Sequence, residues 1–200
     1  MSHVVDYYLA PVSPWTYLGH ARFAAMLARH GAQVRVKPMD LGKIFPLSGG
    51  LPLKDRAPQR QSYRLAELAR WRDFLKMPLN IHPAHFPVPQ ELACRMIVAA
   101  QQQGEEAAMR FSGAVLKACW AEERNVSDAA TLHAIAREQG FDADALAAVA
   151  ATDATKAIYD GNTKEALEAN VFGSPTYRIN GELFWGQDRL DFVERALAKG

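Results

Sequence analysis

The sequence lacks a redox motif, since its two cysteines, Cys94 and Cys119, lie far apart and form no C-x-x-C pair. Both lie in helical patterns, and free cysteine is among the most frequently buried residues, so we expect two buried, inert thiols. An excess of charge is also missing, with 23 basic against 22 acidic residues. Such a balance provides no electrostatic attraction for nucleic acid or an anionic membrane surface. We therefore expect no nucleic-acid partner and no membrane partner.

Long apolar runs are absent as well, because charged residues interrupt every apolar stretch before it could cross a bilayer. The N-terminus has no basic start, no long apolar segment and no small-residue cleavage site, so it does not resemble a secretory signal. A cytoplasmic location is the expectation, and an organelle reached without a cleaved N-terminal signal stays open.

A strand, a helix and a second strand are predicted at the start of the chain. Residues 3–9 are β-branched and aromatic, as in a buried strand. Ser13 is a favoured N-cap and Pro14 suits the first helical position, and Gly31 is placed to end that helix. The alternation in residues 32–39 predicts a second strand with Val34 and Val36 facing inward. The spacing suits a right-handed parallel crossover.

The middle of the chain is helical in pattern after a Gly- and Pro-rich stretch, residues 42–57, which predicts a loop. Helices are predicted over 58–76, 89–103, 105–121, 128–139, 142–151 and 153–168. After them, Asn180–Gly181 between residues 176–179 and 182–185 is typical of a β-hairpin. An amphipathic helix starting at Asp188 and burying Leu190, Phe192 or Val193, and Leu197 closes the chain.

This order predicts an α/β fold, a thioredoxin-like βαβ…ββα domain with a large all-helical insertion. We assign residues 1–45 and 166–200 to the thioredoxin-like domain and residues 46–165 to the inserted helical domain.

Three stretches, VSPWTYLG, FGSPT and ELFWGQDRLDFVERAL, resemble the 2-hydroxychromene-2-carboxylate isomerase family. That family is close to the kappa-class glutathione transferases, and both resemble the DsbA-like thioredoxin fold. The resemblance covers the whole chain and implies an isomerase that uses glutathione as its cofactor. It also implies a small aromatic carboxylate as substrate, a role in the breakdown of aromatic compounds, and a homodimer.

Ser13 occupies the position where redox relatives place the first cysteine of C-x-x-C, at a helix N-terminus that stabilises an anion. Without sulfur there, thiol–disulfide exchange at this site is excluded. The resemblance implies that the Ser13 hydroxyl binds the glutathione thiolate, which makes Ser13 the predicted catalytic residue. Taken by itself, the spacing fits an ordinary N-cap equally well.

Two C-terminal elements are predicted to bind glutathione. Pro175 resembles the cis proline of thioredoxin-like folds, which would expose the backbone of Ser174 for pairing with the peptide; an ordinary loop proline is the alternative. Gln187, Asp188 and Arg189 open the last helix, where helix amides and Asp188 would meet the γ-glutamyl carboxylate and ammonium. The alternative is that Asp188 and Asp191 only cap a surface helix and bind no ligand.

Arg60 shares a helix face with Arg64 and resembles a lysine that binds the glycyl carboxylate of glutathione in kappa-class relatives. A solvated helix face is the alternative. Many relatives carry Gly-Asn before a proline in the preceding loop, and their asparagine lies near the thiol or the substrate. This chain has Gly49–Gly50 there, so the resemblance is incomplete at the substrate end of the site.

Four aromatic residues are candidates for a wall against a planar substrate, and Trp185 is the one assigned to substrate binding; the others are Trp15, Tyr17 and Phe184. His82 and His85 lack a third ligand, so no metal site is predicted.

Two other functions stay open at this point. A kappa-type transferase or peroxidase would use the same thiolate site but consume glutathione. A non-enzymatic thioredoxin-like binding domain would have no affinity for glutathione.

Overall fold

The computed structural model describes residues 3–199, which form a four-stranded sheet surrounded by helices. The strands are β1 (Val4–Leu9), β2 (Gln33–Pro38), β3 (Thr176–Ile179) and β4 (Glu182–Trp185). Their order in the sheet is β2-β1-β3-β4, with β1 parallel to β2 and the other neighbouring pairs antiparallel. This confirms the predicted thioredoxin-like βαβ…ββα arrangement.

The central strand β1 is buried because its neighbours cover both edges and helices cover both faces. Each of residues 5–9 is at most 3% exposed. The register pairs Val5 with Val34 of β2 and with Ile179 of β3. In β2, Val36 is buried and Val34 is half-buried against the core. Both valines therefore face inward as predicted, but Val34 is less completely buried than Val36.

Helix α1 (Pro14–His30) begins and ends at the residues that the sequence predicts. The Ser13 side chain accepts a hydrogen bond from the Thr16 amide, and Pro14 occupies the first helical position. Gly31 ends the helix with φ of 58°, a left-handed conformation that glycine adopts without steric cost.

Part of the predicted 42–57 loop is helical, and this expectation was wrong for its first half. Helix α2 spans Leu41–Ser48, with the Asp40 carboxylate accepting from the Gly42 amide and Gly49 ending the helix at φ of 74°. Ile44 is fully buried in a small cluster with Tyr8 and Met39. The local sequence does not predict this burial, and it stabilises a helix despite the proline at position 46.

The predicted helical middle is confirmed nearly residue for residue. The structure has α3 (Pro58–Leu75), α4 (Glu91–Ala100), α5 (Glu105–Trp120), α6 (Ala129–Glu138), α7 (Ala143–Ala150) and α8 (Asp153–Glu168). The predicted 89–103 helix is shorter, because a 3-10 turn, Gln101–Gln103, follows α4. Asp128 caps α6 by accepting from the Thr131 amide at 2.8 Å.

The C-terminal hairpin turns at Asn180 and Gly181, with φ of 51° and 89°, as the Asn-Gly pair predicts. The closing helix α9 spans Leu190–Ala198 and starts two residues later than expected, because Gln187–Arg189 form a 3-10 turn. Of the two alternatives for its apolar face, Val193 is buried and Phe192 is exposed.

One hydrophobic cluster spans both the sheet half and the helical middle, from Val5 in β1 to Ala150 in α7. Within it, the rings of Tyr7 and Tyr177 stack at 5.4 Å and Phe23 packs against both. The division into a thioredoxin-like and an inserted domain stays a prediction, since these residues share a single core.

Both cysteines are free and buried, as expected. Burial raises the pKa of the Cys119 thiol to about 12 and raises that of Cys94 further, so neither carries an accessible thiolate. Across residues 3–199, none of the helices combines the length and apolarity needed to cross a bilayer.

His20 on α1 is a buried histidine that the fold keeps neutral. Its Nε2 lies 3.0 Å from the Met109 carbonyl and its Nδ1 lies 3.1 Å from the Tyr7 hydroxyl. A neutral ring satisfies both contacts, by donating to Met109 and accepting from Tyr7. Burial lowers the pKa of His20 to about 4, although the Met109 bond opposes this shift.

We expect His20 to make the protein less stable in mild acid. Its pKa is lower in the folded state than the ordinary 6.5, so its contribution is fully present above pH 6.5 and is lost as pH falls toward 4. Between about pH 7 and pH 5 the wild type should lose about 2 kcal/mol more unfolding free energy than His20→Gln. Urea denaturation at both pH values measures this difference, and parallel losses in the two proteins would contradict it.

Candidate functional site

The turn between β1 and α1 places Ser13 at the N-terminus of a long helix. Ser13 is nearly buried, at 8% exposure. Its Oγ accepts from the Thr16 amide at 3.2 Å and donates toward the Ser174 carbonyl at 3.4 Å. The accepted bond is an ordinary cap, whereas the donated bond is at the long limit of hydrogen bonding. The Ser13 proton is therefore held weakly.

The loop before β3 packs directly against this turn, and the Ser174–Pro175 peptide bond is cis. The Ser174 hydroxyl accepts from the Ala10 amide at 2.8 Å and shares a 2.8 Å hydrogen bond with the Thr16 hydroxyl. The sequence predicts a role only for the backbone of Ser174. The structure gives its side chain a second task, which is to connect the end of β1, the start of α1 and the loop before β3.

A cleft of about 1070 Å³ opens beside this junction, between α1, α2, α3 and the segment 172–189. Six of the eight predicted site residues line it: Arg60, Ser174, Trp185, Gln187, Asp188 and Arg189. Ser13 and Pro175 do not line the cleft, but both adjoin Ser174, which does.

The Gly186–Arg189 turn is held against α1 by close packing. A Cβ at Gly19 would come within 2.9 Å of the Gln187 Cβ, so glycine is required for this approach. Gln187 is buried, and both its carbonyl and its carboxamide oxygen accept from the Arg22 guanidinium. Its side chain thus fixes the turn in place, a role that the sequence did not indicate.

Asp188 and Arg189 are both exposed at the rim of the cleft and pair with each other, with Oδ2 and Nη1 2.7 Å apart. The alternative in which Asp188 caps the last helix is not what the structure has, because no side chain caps this turn or α9. The Asp188 carboxylate remains accessible on the cleft side.

Aromatic side chains form much of the cleft wall: Trp15, Phe45, Tyr63, Trp71, Phe172 and Trp185. Trp185 is half exposed and packs edge-on against Phe172 at 4.8 Å. A Cβ at Gly173 would overlap the Trp185 indole nitrogen, so this glycine lets the ring lie over the loop.

Of the four aromatic residues predicted for the cleft wall, Tyr17 and Phe184 do not line the cleft. Tyr17 is buried and donates to the Pro78 carbonyl at 2.7 Å, and Phe184 packs against the core. The sequence missed Phe45, Tyr63 and Trp71, because their arrival at the cleft depends on α2 and on the packing angle of α3. The departure at Gly49–Gly50 does lie in the cleft wall, where a Cβ at Gly50 would collide with the Phe45 ring.

The charged residues of the cleft are mostly basic. They are Arg56, Arg60, Arg64, Glu67, Asp188 and Arg189. Burial, together with the charge of Arg56, lowers the pKa of Arg64 to about 10. Burial and the charge of Arg60 lower the pKa of Arg56. The cleft therefore favours an anionic ligand with an aromatic part.

Within the part of the chain that the structure covers, no three histidine, cysteine or acidic side chains are grouped so that they could hold a metal ion. The chemistry of the cleft is that of a helix N-terminus, hydroxyls, guanidinium groups and aromatic rings.

Comparison with known proteins places this geometry in a family. The DSBA-like thioredoxin domain matches residues 4–198. A 2-hydroxychromene-2-carboxylate isomerase from Pseudomonas sp. (strain C18) is 30% identical over 200 residues, covering 97% of this chain and 90% of that protein. The protein of the same name from Sphingobium xenophagum is 28% identical, covering 98% and 99%.

A solved structure of 2-hydroxychromene-2-carboxylate isomerase superposes with a TM-score of 0.83 at 26% identity, covering 98% of this chain and 95% of the other. The resemblance found in the sequence is thereby confirmed. The chain belongs to the DSBA-like thioredoxin family and, within it, to the 2-hydroxychromene-2-carboxylate isomerase family, and it is accordingly an isomerase.

Proposed function

We propose that this isomerase acts on 2-hydroxychromene-2-carboxylate or a closely similar aromatic hydroxy acid, with glutathione as a cofactor regenerated in each cycle. The observation that carries the proposal is the weakly held Ser13 proton at the N-terminus of α1, beside a basic, aromatic cleft. A helix N-terminus stabilises an anion, and no cysteine side chain is present there to compete for a thiol.

The residues of the cleft fit glutathione in chemistry. Arg60 is exposed in the cleft and free of any carboxylate among the described residues, as a partner of the glycyl carboxylate requires. The Asp188 carboxylate at the rim suits the γ-glutamyl ammonium, and Arg189 beside it suits the γ-glutamyl carboxylate. These two ends and Ser13 provide three points of attachment for an extended tripeptide.

Bound glutathione would supply a thiolate for reversible addition to the conjugated double bond of the ring-opened substrate; the double bond becomes single and free to rotate while the electron pair rests on the enolate, and its return expels the thiolate unchanged. Ser13 would donate a hydrogen bond to the thiolate sulfur, giving up the 3.4 Å bond to the Ser174 carbonyl while keeping its cap bond to Thr16. Trp185, together with Trp15 and Phe45, would flank the planar ring and exclude water. Orientation of the two reactants could lower the barrier by several kcal/mol.

A substrate time course tests the proposal directly. We expect 2-hydroxychromene-2-carboxylate to approach an equilibrium mixture, followed by absorbance, only when glutathione is present, with the free thiol concentration unchanged at the end. Thiol consumption in proportion to product would instead indicate a transferase. Conversion at the same rate without glutathione would contradict a cofactor role.

Removal of the Ser13 hydroxyl should reduce turnover far more than it reduces stability. Loss of a single donor to a reacting anion costs about a hundredfold or more in kcat, whereas loss of an N-cap costs about 1 kcal/mol of folding free energy. Steady-state kinetics and urea denaturation of Ser13→Ala measure the two quantities.

Thr152→Ala is the matched control, because Thr152 caps α8 through an N···O distance of 3.2 Å, equal to that of Ser13, and does not line the cleft. This variant should lose similar stability and keep wild-type turnover. Full activity in Ser13→Ala would show that Ser13 is only a cap.

A further inference from the structure

Three arginines of the cleft, Arg56, Arg60 and Arg64, have no carboxylate of residues 3–199 within ion-pairing distance. The two acidic residues that line the same cleft each pair with another arginine. Glu67 pairs with Arg70 at 2.5 Å and Asp188 pairs with Arg189 at 2.7 Å. Since glutathione is expected to occupy Arg60, the cleft has more positive charge than that cofactor needs.

Arg64 is the most enclosed of the three. Its guanidinium lies over the Phe86 ring at 5.6 Å and the Trp120 ring at 6.0 Å, so aromatic faces replace part of its water. A cation–π contact of this kind uses no acceptor oxygen, so the N–H donors of Arg64 stay available for a ligand. No side chain or carbonyl of the described residues accepts from Arg64, although it lines the cleft.

Trp120 also fixes where this charge lies relative to the reactive turn. Its indole N–H donates to the Val12 carbonyl at 3.2 Å, and Val12 directly precedes Ser13. Arg64 therefore lies 6.0 Å from the centre of a ring that is anchored next to the predicted thiolate position. Arg56 adds a second positive charge, held by a 2.8 Å bond from its Nε to the Leu51 carbonyl.

We propose that Arg64 binds the carboxylate of the aromatic substrate, and that it sets a preference for substrates with a carboxylate on the ring system or its side chain. This inference rests on the proposed function and adds to it the residue that recognises the substrate. The planar fork of arginine matches a carboxylate with two parallel hydrogen bonds. Arg60 and Arg64, one turn apart on α3, thus serve two different anions.

The test uses two unreactive planar ligands, chromone-2-carboxylate and chromone, which differ only in the carboxylate. Binding is measured by calorimetry to the full-length protein without glutathione, so turnover is not needed. Wild-type protein should bind the carboxylate about tenfold to a hundredfold more tightly than chromone, the range expected for hydrogen bonds to a charged group.

In Arg64→Leu this preference should disappear while chromone still binds, which also reports that the variant is folded. Arg72→Leu is the control, because Arg72 lies on the same helix outside the cleft and pairs with Asp73; it should behave as wild type. Arg60→Leu should weaken glutathione binding and keep the preference for the carboxylate.

An unchanged preference in Arg64→Leu overturns the proposal, and so does a wild-type protein that binds the two ligands equally. A glutathione-independent reaction would refute the cofactor role alone, since the ligand comparison contains no glutathione.

Discussion

The site depends on the buried hydroxyl of Ser174, which joins three separate parts of the chain. It accepts from the Ala10 amide at the end of β1 and shares a hydrogen bond with the Thr16 hydroxyl in the first turn of α1. Each of these groups is shielded from water, so an unmade bond would cost a desolvated polar group of about 1–3 kcal/mol. The junction therefore holds Ser13, the cleft wall and β3 in one fixed relation, as a reacting site requires.

The helical middle contributes to the site as much as the sheet does. Helix α5 brings Trp120 to the Val12 carbonyl, and α3 brings Arg64 over that ring. Because one hydrophobic cluster runs through both halves, core packing sets the placement of α3 relative to the β1–α1 turn.

Local signals predicted the parts of the fold that local forces determine. The cap at Ser13, the glycine at position 31 and the Asn180–Gly181 turn each act within a few residues, so the sequence was sufficient to place them. Helix α2 was missed because its Gly- and Pro-rich sequence is poorly helical by itself, and the burial of Ile44 against Tyr8 stabilises it only in the folded chain.

The same limit applies to the site. The resemblance supplied Arg60 and the residues at the two ends of the chain. It did not supply Phe45 or Trp71, nor the tasks of Gln187 and the Ser174 side chain, because these depend on contacts between residues far apart in sequence. An isolated basic helix face cannot be distinguished from a solvated one until the cleft is known. The role proposed for Arg64 depends on its place in the cleft and on its contacts with Phe86 and Trp120.

Serine in place of cysteine is consistent with a thiol that arrives with the ligand. A cysteine at position 13 would place a second thiolate at the same helix N-terminus, where it would repel the incoming one and could form a mixed disulfide with it. The serine hydroxyl stays neutral. It caps the helix by accepting from the Thr16 amide, and its O–H remains able to donate a hydrogen bond to a ligand. Under the proposed mechanism the anion-stabilising field of α1 would act on the ligand's sulfur, and the two native thiols would not compete because burial raises their pKa values.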